Sequence, residues 1–193
     1  LPLLMLESMP PFVKAFDKNQ LVELKLLKTL LEQCVQQRFG KQHENSEWIT
    51  DGLPYFLWQK YVNTHFPDLN MTGNLNTWPI IKNYHFTQAP YYRSWEIAAN
   101  VSANKNRGQS LVTPKNKLTR YNRRVANPYR AALALLYLDA YLGNNSVANA
   151  IKSLPKNSQI DRALKQDLAT TTTKPIDWFF EHYIKIDNNI DLS

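Results

Sequence analysis

The clearest helix of the chain lies in residues 127–143, which read NPYRAALALLYLDAYLG. Pro128 suits the first helical turn, because an N–H at that position has no acceptor within the helix. Gly143 stands where a glycine commonly ends a helix. These signals predict a helix from Pro128 to Leu142, and similar patterns recur on both sides of it.

A long helix is predicted ahead of this stretch. Asp17 and Gln20 have the spacing of a capping box, and Gly40 stands at the expected C-cap. The apolar stripe between them consists of Leu24, Leu27, Leu31, Cys34, Val35 and Phe39. Cys34 is the one cysteine of the chain, so an internal disulfide and a multi-cysteine zinc site are excluded. Its place in the stripe predicts a buried, inert thiol.

Further helices follow the same rules of periodicity and breakers. They are predicted from about Trp48 to before Pro67, and over Ser94–Ala103, Val147–Leu154, Gln159–Ala169 and Ile176–Ile184. The segments between them are predicted to be irregular over Asn70–Tyr92, a surface loop over Asn104–Val125 and a linker over Thr170–Thr173. Strand-like alternation is nearly absent. The sequence therefore predicts one all-α domain over residues 1–193, as an excerpt of a longer protein.

Composition narrows the possible classes of protein. Five glycines among 193 residues argue against a β-sandwich or a nucleotide-binding loop. An aromatic content of 12% suits a helical core or a peptide cleft. No apolar run approaches the length of a membrane-spanning helix, so we expect no membrane insertion by this segment.

Positive charge is concentrated in the stretch from residue 105 to residue 130, within a chain of net charge +7. The candidate polyanion-binding residues are Arg107, Lys115, Lys117, Arg120, Arg123 and Arg124, with Lys105 and Arg130 beside them. Such a cluster indicates either a surface for nucleic acid or another polyanion, or an ordinary solvated loop. No nucleic-acid-binding motif accompanies it.

Three segments carry a resemblance to a known family. Residues 32–40 read EQCVQQRFG, residues 48–53 read WITDGL and residues 127–136 read NPYRAALALL. In this order they resemble the HExxHQWFG, WLNEGFA and PYEKGxxLL segments of the aminopeptidase N family, the gluzincin metallopeptidases that include the leukotriene hydrolases. Residues 142–144 and 175–180 are similar to that family's later LG turn and FF-containing helix. The resemblance implies the α-helical part of a thermolysin-like catalytic domain.

The same resemblance implies that the zinc site is lost. In the family, two histidines one helical turn apart and a carboxylate from the next helix bind zinc, and a glutamate acts as general base. Here the first ligand position is Glu32, the base position is Gln33, the second ligand position is Gln36 and the third is Asp51. An amide cannot act as a base, and its oxygen is a weak zinc ligand. Tyr129 keeps the position of the family's transition-state tyrosine. We therefore expect no metal, no cofactor and no catalysis, although Glu32 and Asp51 could hold a harder cation.

Other chemistry finds little support. His43-Glu44-Asn45-Ser46-Glu47 begins like HExxH but has glutamate at the second ligand position. His65, His85 and His182 are isolated in sequence, and no serine or cysteine nucleophile motif is present. The expected function is a scaffold, or a module that binds a peptide or protein, within a larger protein. The alternatives are a basic domain that binds a polyanion through residues 105–130 and an unrelated all-α interaction domain.

Overall fold

A computed structural model describes residues 18–40, 46–70, 73, 89–104 and 107–185. The α-helices are α1 (Lys18–Phe39), α2 (Glu47–His65), α3 (Arg93–Asn104), α4 (Asn127–Leu142), α5 (Ser146–Ser153) and α6 (Ile160–Thr171). Two π-helical turns lie at Asn122–Ala126 and Phe179–Tyr183. Within these ranges the extended pairing is limited to one isolated bridge, between Asn70 and Pro90. The predicted all-α fold is confirmed.

Glycine ends two helices at the predicted positions. The N–H of Gly40 donates to the carbonyl of Gln36 at the end of α1, and the N–H of Gly143 donates to that of Asp139 at the end of α4. Both glycines have positive φ, at +63° and +81°. Other residue types adopt this backbone region at a steric cost, so these local signals fix where α1 and α4 end.

The prediction of a surface loop over Asn104–Val125 is wrong at the carboxyl end of that segment, because a helix begins at residue 120. Thr119 starts this helix: its Oγ1 accepts the N–H of Asn122 at 3.3 Å and its carbonyl accepts that of Arg123 at 2.9 Å. The π turn follows, with the N–H of Asn127 donating to the carbonyl of Asn122, and it leads directly into α4. Pro128 then occupies the first turn of α4, as predicted.

Two smaller differences concern the end of the chain. The linker predicted over Thr170–Thr173 is shorter, because α6 continues to Thr171. The helix predicted over Ile176–Ile184 is present over residues 177–183, but residues 179–183 have π geometry. The predicted irregular segment Asn70–Tyr92 falls largely outside the described residues.

The helices α2 and α4 form the most extensive helix pair in the described ranges. They approach closely at Gly52, where an added Cβ would lie 2.5 Å from the Cβ of Ala131 and 2.7 Å from its carbonyl carbon. No side chain fits at that separation. Gly52 is therefore the residue that permits the crossing, and the crossing sets where the remaining helices pack.

Two apolar clusters flank this crossing. The larger one contains Phe56, Leu135, Leu138 and Phe179, and it extends to α5 and α6. The smaller one is aromatic and contains Trp58, Tyr91, Trp95 and Tyr129, together with Leu24 of α1. The indole N–H of Trp58 donates to the carbonyl of Leu24 at 3.0 Å. This hydrogen bond and the burial of Leu24 attach α1 to α2.

The prediction of a buried Cys34 is wrong, because its side chain is exposed. Among the side chains of α1 that the structure describes, Leu24, Val35 and Phe39 are buried, so the packed face passes from Leu31 to Val35. Consecutive residues of a helix differ by about 100° around its axis, which turns Cys34 away from that face. The apolar pattern marked the helix correctly but assigned one member to the wrong side.

Candidate binding site

The three motif positions on α1 lie at the surface. Glu32, Gln33 and Gln36 are all exposed. A carboxylate oxygen of Glu32 lies 3.7 Å from the ammonium of Lys28, one turn earlier, and both side chains are nearly half exposed. An ion pair of this kind contributes at most about 1 kcal/mol. The first ligand position is thus a solvated acid, and the base and second ligand positions are surface amides.

Asp51 has a different environment on α2. Its carboxylate is partly buried and lies 2.9 Å from the ammonium of Lys115, which is also 3.9 Å from Glu47. Burial raises the pKa of Asp51 above its ordinary value, the hydrogen bond and charge of Lys115 oppose this, and the charge of Glu47 adds to it. A lysine from the basic segment therefore serves as the counter-ion of the third ligand position.

Tyr55 connects the motif residues of the two helices. Burial raises the pKa of its phenol to about 12, and the negative charges of Glu32 and Asp51 contribute to that rise. Both carboxylates thus lie within electrostatic reach of one hydroxyl group. The ammonium of Lys28 lies over the Tyr55 ring, 4.7 Å from its centre. Sequence reasoning missed Tyr55, although it stands four residues after Asp51 and so shares its helix face.

Tyr129 contacts Tyr55 from α4. The two rings meet edge to face with 5.1 Å between their centres, and the Tyr129 ring stacks on Trp95 at 5.6 Å. Burial raises the pKa of Tyr129 to about 12, the charge of Tyr55 contributes, and Lys28 opposes the shift. Both phenols are therefore uncharged at neutral pH and can donate a hydrogen bond.

The structure thus brings Glu32, Asp51 and Tyr129 together around Tyr55, and it leaves Gln33 and Gln36 at the surface. The described residues contain no group of three His, Cys, Asp or Glu side chains placed to hold a metal ion. Both carboxylates are paired with lysines. These groups can donate hydrogen bonds to a polar chain and accept hydrogen bonds from it. None of the described groups here is an imidazole.

The remaining histidine-based alternatives receive no support from the described residues. His43, Glu44 and His85 lie outside the described ranges. Glu47, the last residue of the HExxH-like run, lies in the first turn of α2 and approaches Lys115. His65 packs against the Tyr61 ring with 4.2 Å between ring centres, and His182 is exposed in the second π turn.

The basic segment is folded back onto the helix that follows it. Residues 107–119, which we call the basic loop, are held by Asn122, whose Nδ2 donates to the carbonyl of Arg107 at 2.8 Å and to Oε1 of Gln109 at 2.7 Å. Arg130 donates to the carbonyl of Gln109 at 2.7 Å, and Asn127 donates to that of Ser110 at 3.2 Å. Asn122 is fully buried, so the loop has a defined conformation.

The candidate polyanion-binding residues separate into groups. Lys115 is engaged with Asp51, and the backbone of Arg107 is bound by Asn122. Arg107 is nevertheless exposed, as are the other four candidates, Lys117, Arg120, Arg123 and Arg124. Three of these four lie within the first turns of the helix that begins at residue 120. Three arginines of the segment therefore lie close together along the chain, at the start of this helix.

Comparison with known proteins adds no relative to these observations. No protein-family model matches the chain, and no match was found among curated proteins or among solved structures. Among the described helices, none combines the length and the apolar character that crossing a membrane requires.

Proposed function

We propose that this chain is a catalytically inactive, zinc-aminopeptidase-like helical domain that binds a peptide or protein segment as part of a larger protein. Lys28, which lies 3.7 Å from Glu32, is over the Tyr55 ring at 4.7 Å, and the Tyr129 ring meets the Tyr55 ring edge to face at 5.1 Å. Asp51 lies about one helical turn before Tyr55. The observation that carries the proposal is therefore the grouping of Glu32, Asp51 and Tyr129 about this ring. These are three of the five positions that the family resemblance singles out, and they come from three different helices.

The chemistry of the five positions supports binding without catalysis. Gln33 occupies the base position, and a carboxamide cannot take a proton from water in the accessible pH range. Gln36 occupies the second ligand position and is exposed on α1. Asp51, at the third, already has an ammonium 2.9 Å away. A zinc ion would have to displace Lys115 and would gain no imidazole among these residues.

The polar groups around Tyr55 are suited to a polypeptide. The backbone N–H groups of a polypeptide can donate hydrogen bonds to the carboxylates. Its backbone carbonyl groups can accept hydrogen bonds from the phenols and the ammonium groups. Glu32 and Lys28 are nearly half exposed, so an extended chain can reach them from solvent. The aromatic rings behind Tyr55 supply a rigid wall, since Tyr129 and Trp95 are buried and stacked.

Binding can be tested with a library of unmodified peptides and the purified chain. Peptides retained by the wild type should bind Tyr55→Phe weaker by a factor between about 2 and 12, the range expected for one lost hydrogen bond. Tyr61→Phe is the matched control: it removes a hydroxyl from the same helix, one that contacts the exposed Glu23 at 2.7 Å. It should leave affinity unchanged.

Two outcomes contradict the proposal. Equal losses in Tyr55→Phe and Tyr61→Phe would place the peptide elsewhere on the molecule. Stoichiometric zinc in the purified protein, together with release of amino-terminal residues from peptides, would show a working peptidase. The metal content and the turnover are measured on the same preparation. Measuring both again after the affinity tag is removed identifies zinc that was bound by the tag.

A further inference from the structure

Three exposed arginines lie together where the helix begins after the basic loop. Arg120, Arg123 and Arg124 are exposed, and no ion pair to a carboxylate joins any of them within the described ranges. Six other cations of the described ranges are paired in this way, namely Lys28, Lys60, Arg93, Lys115, Lys165 and Lys185, whereas the exposed Lys117, Lys152, Lys156 and Arg162 form no such pair there. The arginine cluster, by which we mean these three residues, therefore concentrates positive charge without a carboxylate partner in the described part.

The arginine cluster lies within five consecutive residues at the start of the helix. Arg120 precedes the π turn, and Arg123 and Arg124 lie within it. A helical path of four residues spans no more than about 6 Å along the axis. The three charges thus fall within the length of a short peptide motif. Lys117 lies three residues before them and is also exposed.

The backbone beneath the cluster is fixed. Asn122 lies between Arg120 and Arg123, is fully buried, and ties the start of the helix to the basic loop. Thr119 adds a second anchor, since its N–H donates to Oε1 of Gln109 at 2.8 Å. A fixed backbone lowers the conformational entropy lost when the arginines engage a ligand.

We propose that the arginine cluster binds an acidic peptide segment on a protein partner. A guanidinium donates two parallel hydrogen bonds to one carboxylate, and clusters of arginines are a recurrent means of recognising acidic motifs. The three arginines are not among the groups around Tyr55, and the proposal does not depend on the peptidase-like function.

The compactness of the cluster favours an acidic peptide over nucleic acid. Proteins that bind nucleic acid commonly neutralise about six to ten phosphates along an extended surface. Binding of single strands also uses exposed aromatic rings on which bases stack. Tyr121, inside the cluster, is partly buried, and its hydroxyl donates to the carbonyl of Ala98 at 2.6 Å. The next exposed ring along this helix is Tyr137, 13 residues beyond Arg124 and so about 20 Å away along the axis.

The test uses fluorescence anisotropy with a labelled peptide of alternating Asp and Glu residues, and with the same peptide carrying Asn and Gln. The wild type should bind the acidic peptide and not the amide peptide. Arg123→Gln with Arg124→Gln should weaken that binding by at least about tenfold. The matched control is Lys156→Gln with Arg162→Gln, which removes two exposed charges elsewhere and should change affinity less than about twofold.

Circular dichroism of each variant establishes that the helices remain formed, and all four substituted side chains are exposed. Equal weakening in the two double variants would overturn the proposal, because only the net charge would then matter. A dissociation constant above about 1 mM for the wild type and the acidic peptide, measured at about 50 mM salt, would also overturn the proposal. Tighter binding of a single-stranded or duplex oligonucleotide than of the acidic peptide would assign the cluster to nucleic acid instead.

Discussion

The helices α1 and α2 both carry residues that the sequence singled out as candidate site residues, but the two helices are held in opposite ways. α2 crosses α4 at Gly52, where the backbone of α4 is too close for any side chain. α1 packs through Leu24, Val35 and Phe39, and it exposes Val22, Leu26 and Leu30 on its other side. One helix is enclosed at the crossing, whereas the other is attached along one face.

This difference places the candidate site residues in different surroundings. Glu32, Gln33 and Gln36 are exposed on α1, and substitutions at such positions usually change the free energy of unfolding by no more than about 0.5 kcal/mol. Gly52 and Tyr129 are packed inside the protein. Glu32, Gln33 and Gln36 can therefore be substituted without loss of the helical frame, while the residues of the crossing cannot.

The largest test of the comparison is a pair of truncations to alanine. Phe56 of α2 is fully buried, so Phe56→Ala should lower the free energy of unfolding by about 3–5 kcal/mol. Leu26 of α1 is 58% exposed, so Leu26→Ala should change it by no more than about 0.5 kcal/mol. Urea denaturation followed by circular dichroism measures both.

A large loss in Leu26→Ala would contradict the view that this face of α1 meets solvent. Repeating the measurement at several protein concentrations then identifies the reason. A loss that grows as the wild type is concentrated would indicate that copies of the chain associate through α1.

The next test concerns the crossing itself. Gly52→Ala adds a Cβ that would lie 2.5 Å from the Cβ of Ala131, so the helices must separate. We expect a loss of about 1–3 kcal/mol from overpacking. Alanine is the better helix former by about 1 kcal/mol, which makes any loss evidence of steric conflict. Gln33→Ala on α1 is the control, with a change within about 0.5 kcal/mol. A stabilised Gly52→Ala protein would show that the helices are farther apart.

The sequence predicted the helices well where the signal was local. Gly40 and Gly143 adopt positive φ at the ends of their helices, and a terminating glycine is recognisable without knowledge of the fold. Thr119 shows the opposite case. It starts a helix inside a predicted loop because Asn122 and Gln109 bind around it. Cys34 was misplaced because the neighbours of α1 decide which face of that helix is buried.

The candidate site divides in the same way. Asp51 and Tyr129 were recognised from motifs, because a motif depends on order and spacing along the chain. The pairing of Asp51 with Lys115 was not foreseen, since the two are far apart in sequence and meet only after the basic loop folds onto α4. Tyr55 was also missed, because its importance follows from the convergence of α1, α2 and α4 on its ring.

The smallest expected effect is a difference between α2 and α1 in how substitution of a carboxylate changes the pH dependence of stability. Burial raises the pKa of Asp51 in the folded protein, and Lys115 only partly offsets this. The folded state therefore holds the proton more tightly than the unfolded chain, so the ionised carboxylate costs stability above that pKa.

Asp51→Asn avoids this cost. Its free energy of unfolding relative to wild type should rise, by less than about 1 kcal/mol, as pH increases through the pKa of Asp51. Glu32→Gln removes one negative charge from exposed α1 and is the control, with no such gain expected. Urea denaturation at several pH values measures the difference. If Asp51→Asn instead loses stability as pH rises, the ion pair with Lys115 outweighs burial, and Asp51 stabilises the fold through its charge.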